Sequence, residues 1–222
     1  MDRLMVEEMG IPLERMMENA SRAVAAIGRA RLGGSVAGSR VTVYSGRGGN
    51  GGGGLVAARH LANAGAQVGI VTVGSAEELA PTTRSQLQIA IAVGIPCTPG
   101  EPPRGKVDLI VDALHGYSLR GDPRAQIAAM IAGFDAETVV SVDVPSGLEV
   151  ATGSLRHPHV RAHATVSLAS PKFGTNEPTH RGAVGDLYVA DISVPRLVFE
   201  RLGVALAPDA FDRGSVVRVA RE

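Results

Sequence analysis

The chain has one cysteine, Cys97, and only two lysines, Lys106 and Lys172, among 222 residues. A single cysteine excludes both a disulfide framework and a cysteine-based zinc site; Cys97 reads as a small buried apolar residue. No apolar run reaches the roughly 18 residues of a membrane-spanning helix. Acidic residues interrupt the amino-terminal MDRLMVEEMG too early for a secretory leader. Net charge is lacking too, because 22 basic and 22 acidic side chains cancel. A nucleic-acid partner usually leaves a basic excess, and there is none. The expectation is a cytoplasmic protein with neither membrane nor nucleic acid as partner.

With 45% hydrophobic residues, the chain has enough apolar content for a proper core and too much for disorder. Helical spacing marks Pro12 to Leu32, with Gly33-Gly34 as its stop. Strand-like runs follow at 40–44, 67–73, 107–114, 138–144, 164–169 and 186–192, with helical patterns at 54–64, 81–93, 123–134 and 195–202 between or after them. Such alternation predicts a three-layer α/β/α sandwich on a mostly parallel, Rossmann-like sheet. The expectation is one domain over 1–222, with its core at about 4–202 and an ambiguous tail from Gly203. In such sheets ligands bind beyond the carboxyl ends of the strands, near the point where strand order reverses.

Three strand ends are unusual. The first strand runs into SGRGGNGGGG, where Gly46, Gly48 and Gly51 fit the dinucleotide pattern G-x-G-x-x-G. The acid that should end the second strand and bond a ribose hydroxyl is missing, since that strand closes Val73-Gly74-Ser75. A Walker-type phosphate loop needs a lysine after its last glycine, and none is present. What remains is backbone N–H groups at a helix start, suited to a phosphate, with Asn50 as a polar side chain inside the run. The other two strand ends carry Asp112, and Asp143 with Ser146. Taken singly, each aspartate could be a helix cap or a turn residue. Brought together, Asn50, Asp112 and Ser146 would form an all-oxygen donor set for a hard cation, leaving Asp143 for substrate or proton transfer.

Four ordered stretches carry a resemblance: GIPLERMMENAS (10–21), GRGGNGGGGLVAARHL (46–61), VDALHGYSLRGD (111–122) and VDVPSGLEVATG (142–153). ASPKFG (169–174) and GDLYVADISVP (185–195) extend it. Together they resemble the YjeF N-terminal domain family, whose characterised enzymes are NAD(P)H-hydrate epimerases. The resemblance implies interconversion of the R and S epimers of NADHX or NADPHX, which are nicotinamide cofactors hydrated at C6. It implies a potassium ion held by Asn50, Asp112 and Ser146. Substrate contacts would fall on Gly49, Asn50, Gly51, Gly52, Gly53, on Gly116, Tyr117, Ser118, Leu119, Arg120, Gly121, Asp122, and on Asp143. A separate dehydratase acting on one epimer is the implied functional partner, because the chain ends too soon to hold one. A homodimer stays open.

Three positions depart from the family's pattern. The family's loop reads GNNGGDG, and here its first Asn and its Asp are Gly49 and Gly53; a histidine, His115, stands where phenylalanine is usual. Loss of the loop carboxylate leaves Asp143 as the expected acid/base group. It also raises an alternative, a catalytically weakened or non-catalytic binding or scaffold member of the same fold. Lys172 and Arg120 could each reach a substrate phosphate, while the pair His157 and His159 reads as an exposed loop.

Overall fold

β-branched runs such as Val107–Ala113 and Ala136–Val142 bury side chains on both faces, which only a covered parallel sheet allows. The computed structural model describes residues 1–101 and 105–220. A π-helical turn at Leu4–Glu8 precedes α1 (Leu13–Arg31), β1 (Arg40–Ser45), α2 (Gly49–Asn63), β2 (Gln67–Thr72), α3 (Pro81–Ala92) and β3 (Cys97–Pro99). Next come β4 (Val107–Ala113), α4 (Ala125–Ala132) and β5 (Ala136–Val142), then a small ladder of β6 (Leu148–Glu149) and β7 (Ser154–Leu155). The chain continues through β8 (Ala164–Leu168), α5 (Arg181–Val184), β9 (Asp186–Ala190), α6 (Arg196–Arg201) and β10 (Val216–Arg218).

Eight strands form one sheet in the order β10-β9-β8-β5-β4-β1-β2-β3. Every pairing is parallel except that of β10 with β9. One face packs on α1 and α2 through Val24, Leu55, Leu61, Val43, Leu109 and Val140. The opposite face packs α4, by Ile127, Met130 and Ile131, against Tyr44, Ile110 and Val139. The molecule is thus an α/β sandwich with helices on both sides. From β1 the chain winds outward through β2 to β3, then returns to β4 on the other side. The reversal between β1 and β4 is the topological switch point.

Four local features differ from the sequence reading. Helix α2 starts at Gly49, five residues before the expected Gly54. Glycine is a poor helix former, so its run reads as a loop, but tertiary contact decides otherwise here. A Cβ at Gly51 would stand 1.9 Å from the Gly46 carbonyl oxygen, and one at Gly54 would stand 2.6 Å from Ala113 Cβ. The helix therefore rides directly on β1 and β4. The edge strand β3, three residues ending at Pro99, and the ladder of β6 with β7 have no periodicity to announce them. The ambiguous tail supplies β10, although residues 221 and 222 lie outside the described residues. Asp186 bonds Arg218 of β10 at 2.5 Å and also pairs with Arg31 at the end of α1.

Candidate functional site

The switch point puts the carboxyl ends of β1, β4 and β5 side by side. In register, Tyr44 of β1 and Ser141 of β5 flank Asp112 of β4. Asp112 is fully buried, and both of its carboxylate oxygens are hydrogen-bonded. Oδ1 accepts from Ser146 Oγ at 2.5 Å and from the Leu114 N–H at 3.3 Å. Oδ2 accepts from Ser141 Oγ at 2.7 Å and from the Ser146 N–H at 2.9 Å. Ser146 Oγ in turn accepts the His115 N–H at 2.9 Å. Asn50, in the first turn of α2, donates Nδ2 to the His115 carbonyl at 2.7 Å. It packs on Gly116, where a Cβ would come within 3.1 Å of Asn50 Cβ. Asn50, His115, Ser146 and Asp112 thus form one hydrogen-bonded chain across three strand ends. The sequence places its charged and polar members, but not the bridging backbone of His115 or the hydroxyl of Ser141.

The electrostatics of this cluster are unbalanced. Among the described residues no basic side chain pairs with Asp112. Burial pushes its carboxyl up, against the opposing hydrogen bonds from Ser146, Ser141 and the Leu114 N–H. His115 Nδ1 is buried without a hydrogen-bond partner, and burial holds that imidazole below its usual range despite the Asp112 charge. A single uncompensated carboxylate among amide and hydroxyl oxygens suits a monovalent hard cation. The described residues hold no group of three His, Cys, Asp or Glu side chains that would suit a transition metal. Asn50, Asp112 and Ser146 are the residues that could hold such a cation, each carrying a hard side-chain oxygen.

Asp143 follows β5 and lies 4% exposed. Its backbone is left-handed, φ 67°, which costs a non-glycine residue about 1–3 kcal/mol and persists only where the surroundings enforce it. The Asp143 N–H donates to Val166 O and its carbonyl accepts Ser167 Oγ, each at 2.8 Å, so β8 does the enforcing. Its Oδ1 accepts the Leu168 N–H at 3.1 Å and pairs with Lys172 Nζ at 2.7 Å.

The segment after β4 is mixed. Tyr117, Ser118 and Arg120 are exposed, Leu119 is buried beneath them, and Gly121 turns the chain at φ 68°. Asp122 accepts the His157 N–H at 3.2 Å and ties this loop to the next. Along the glycine run, Gly49 is open to solvent and Gly51 to Gly53 are buried. Gly52 donates its N–H to Gly48 O inside the helix. A Cβ at Gly49 would meet nothing within 4 Å, and one at Gly53 would meet Ser21 Oγ at 3.6 Å and Val142 Cγ1 at 3.8 Å. Both positions that depart from the family's loop therefore have room for a Cβ.

A family model described as YjeF-related protein N-terminus matches residues 13–174. A protein of Dehalogenimonas lykanthroporepellens named NAD(P)H-hydrate epimerase is 40% identical over 98% of this chain and 88% of its own. A protein of Hyperthermus butylicus named bifunctional NAD(P)H-hydrate repair enzyme Nnr is 38% identical over 85% of this chain, which spans 36% of that longer protein. The crystal structure of the yeast protein ynu0 superposes with a TM-score of 0.77 at 25% identity, covering 98% of this chain and 95% of that one.

Proposed function

Because the chain belongs to the family of YjeF-related protein N-termini, we propose that it is an NAD(P)H-hydrate epimerase, interconverting the R and S forms of hydrated NADH or NADPH. The observation that carries this reading is the hydrogen-bonded cluster of Asn50, Asp112 and Ser146 at the switch point, where an α/β sheet takes a nucleotide, with Asp143 two residues beyond Ser141, the register partner of Asp112. Open N–H groups at the start of α2 suit the diphosphate. Exposed Tyr117, Ser118 and Arg120 line the approach from the β4 side.

Epimerisation is read as ring opening at C6. The C6 hydroxyl proton passes to Asp143 Oδ2, and the O–H electron pair becomes the carbonyl. The C6–N1 pair takes up a proton at N1, relayed from Asp143 through water. Rotation about C5–C6 presents the other carbonyl face, and the reverse transfers close the ring with inverted configuration. No proton is consumed and no oxidation state changes. One carboxylate near the reacting oxygen suffices for such a transfer. Potassium, held by Asn50, Asp112 and Ser146, would supply the charge that balances Asp112. The product epimer suits a dehydratase as the partner activity, consistent with the relative named bifunctional.

The test supplies the epimer that an epimer-specific dehydratase leaves behind, adds that dehydratase and this protein, and follows recovery of dihydronicotinamide absorbance. Acceleration above the spontaneous rate is expected. Asp143→Asn should lower kcat by about 10²–10⁴-fold, the usual range for a lost general base. No acceleration by the wild-type chain would remove the epimerase reading.

A further inference from the structure

Lys172, one of two lysines in the chain, stands in the loop after β8. Its ammonium donates to Leu168 O at 2.7 Å and Ser170 O at 3.0 Å, and pairs with Asp143 Oδ1 at 2.7 Å. An ammonium has three N–H bonds, so none is left for a substrate phosphate. Asp143 Oδ1 is equally committed, to Lys172 and to the Leu168 N–H. No donor among the described residues is bonded to Oδ2. The pair is well enclosed, with side chains 20% and 6% exposed.

Both halves of the pair rest on strained backbone. Among the described residues, the non-glycine residues with positive φ are Asp143 at 67°, Ala169 at 65° and Ser193 at 65°, and the first two carry the carboxylate and the turn that delivers Lys172. Leu168 O accepts both Lys172 Nζ and the Ser170 N–H at 2.8 Å, so the turn and the ammonium are fixed to the same atom. Strain concentrated on one buried ion pair indicates that its placement matters to function.

We propose that Lys172 is a positioning residue for the epimerisation: it clamps Asp143 by Oδ1 so that Oδ2 alone faces the C6 hydroxyl. This rests on the epimerase reading and names the residue that orients its base. The ammonium itself neither gives nor takes a proton in the reaction and does not touch the substrate.

The experiment measures kcat and KM for the full chain with Lys172→Ala and Lys172→Arg. A base displaced by about 1 Å loses roughly 10²-fold in rate. Lys172→Ala is therefore expected to lower kcat by about that factor, with KM within roughly twofold of wild type. Methylammonium added to Lys172→Ala should restore part of kcat, which a merely structural role would not predict. Lys172→Arg keeps the charge but moves the donors; it should fold and also lose kcat rather than KM. A raised KM with unchanged kcat would overturn the proposal in favour of a phosphate contact. Loss of kcat only in proportion to the folded fraction, without amine rescue, would overturn it too. A double-mutant cycle of Lys172→Met with Asp143→Asn, read by thermal unfolding, separates this proposal from the function it rests on. Strong coupling supports the clamp even where no epimerase activity is found, and no coupling removes the clamp even where activity is present.

Discussion

Gly53 and Gly54 are adjacent, both buried and both in the second turn of α2, yet alanine should act on them with opposite sign. In each case alanine gains about 1 kcal/mol of intrinsic helix stability over glycine. At position 53 the new Cβ would sit 3.6 Å from Ser21 Oγ and 3.8 Å from Val142 Cγ1, ordinary contact that fills space. Gly53→Ala should therefore stabilise the fold by roughly 0.5–1 kcal/mol. At position 54 the nearest atom is Ala113 Cβ at 2.6 Å, with Val43 Cγ1 at 3.3 Å. Carbons pack at about 3.5 Å or more, so α2 must lift off β4 by nearly an ångström. Overpacking of this kind costs about 1–3 kcal/mol, which cancels or exceeds the helix gain. In a chain of this length 1 kcal/mol moves Tm by about 2–4 °C. Calorimetry should show Gly53→Ala melting about 1–4 °C above wild type, and Gly54→Ala at or below it by up to about 8 °C. Urea titrations with unchanged m-values would confirm that folded-state packing is responsible. A Gly54→Ala protein more stable than Gly53→Ala would refute the reasoning that close approach of α2, rather than ligand contact, demands the last glycine of the run.

Two further perturbations address charge. Replacing potassium by tetramethylammonium should lower the wild-type Tm, by the mass-action stabilisation a bound ion provides; Asp112→Asn should melt at the same temperature in both salts, and a persisting difference would place the ion elsewhere. Burial opposes ionisation of Asp186, but bonds and charges from Arg218 and Arg31 outweigh it and hold the carboxyl below its usual range. A depressed folded pKa gives stability that is present above the ordinary carboxylate range and is lost as pH falls through the lowered value. Protection factors of the Val216 to Arg218 amides, taken relative to their intrinsic rates at each pH, should accordingly fall in that acid window, and Asp186→Asn should already show low protection at neutral pH; equal protection in the two proteins would sink this account of how β10 is held.

Elements whose pattern is local were legible: α1, the central strands and the strand-end aspartates all stand where periodicity put them. Helix α2 was read five residues short, because glycine propensity is a local property while the 1.9 Å approach to Gly46 O is a tertiary one. Strand β10 was unreadable because it pairs with β9 only after the chain has passed through α6 and a long connection. The same division runs through the site. Types and spacing singled out Asn50, Asp112, Asp143 and Ser146, since hard oxygen donors at strand ends are uncommon enough to notice. Ser141 escaped notice because a serine inside a strand is ordinary until its register partner is seen to be Asp112.

Lys172 shows where composition stops being informative. After a strand, a lysine has two readings from sequence, solvated or phosphate-binding, and both assume free N–H groups. The left-handed turn at Ala169 instead folds the side chain back over Leu168 O and onto Asp143. This geometry also bears on the missing loop carboxylate. A Cβ at position 53 would meet Ser21 Oγ and Val142 Cγ1, and neither Asp143 nor Lys172 comes within 4 Å of it. With glycine at position 53, the ammonium of Lys172 is committed to Asp143 and to the carbonyls of Leu168 and Ser170. The substitution at position 53 thus stands apart from the Asp143–Lys172 pair, whose partners all come from the segment of β8 and the turn after it.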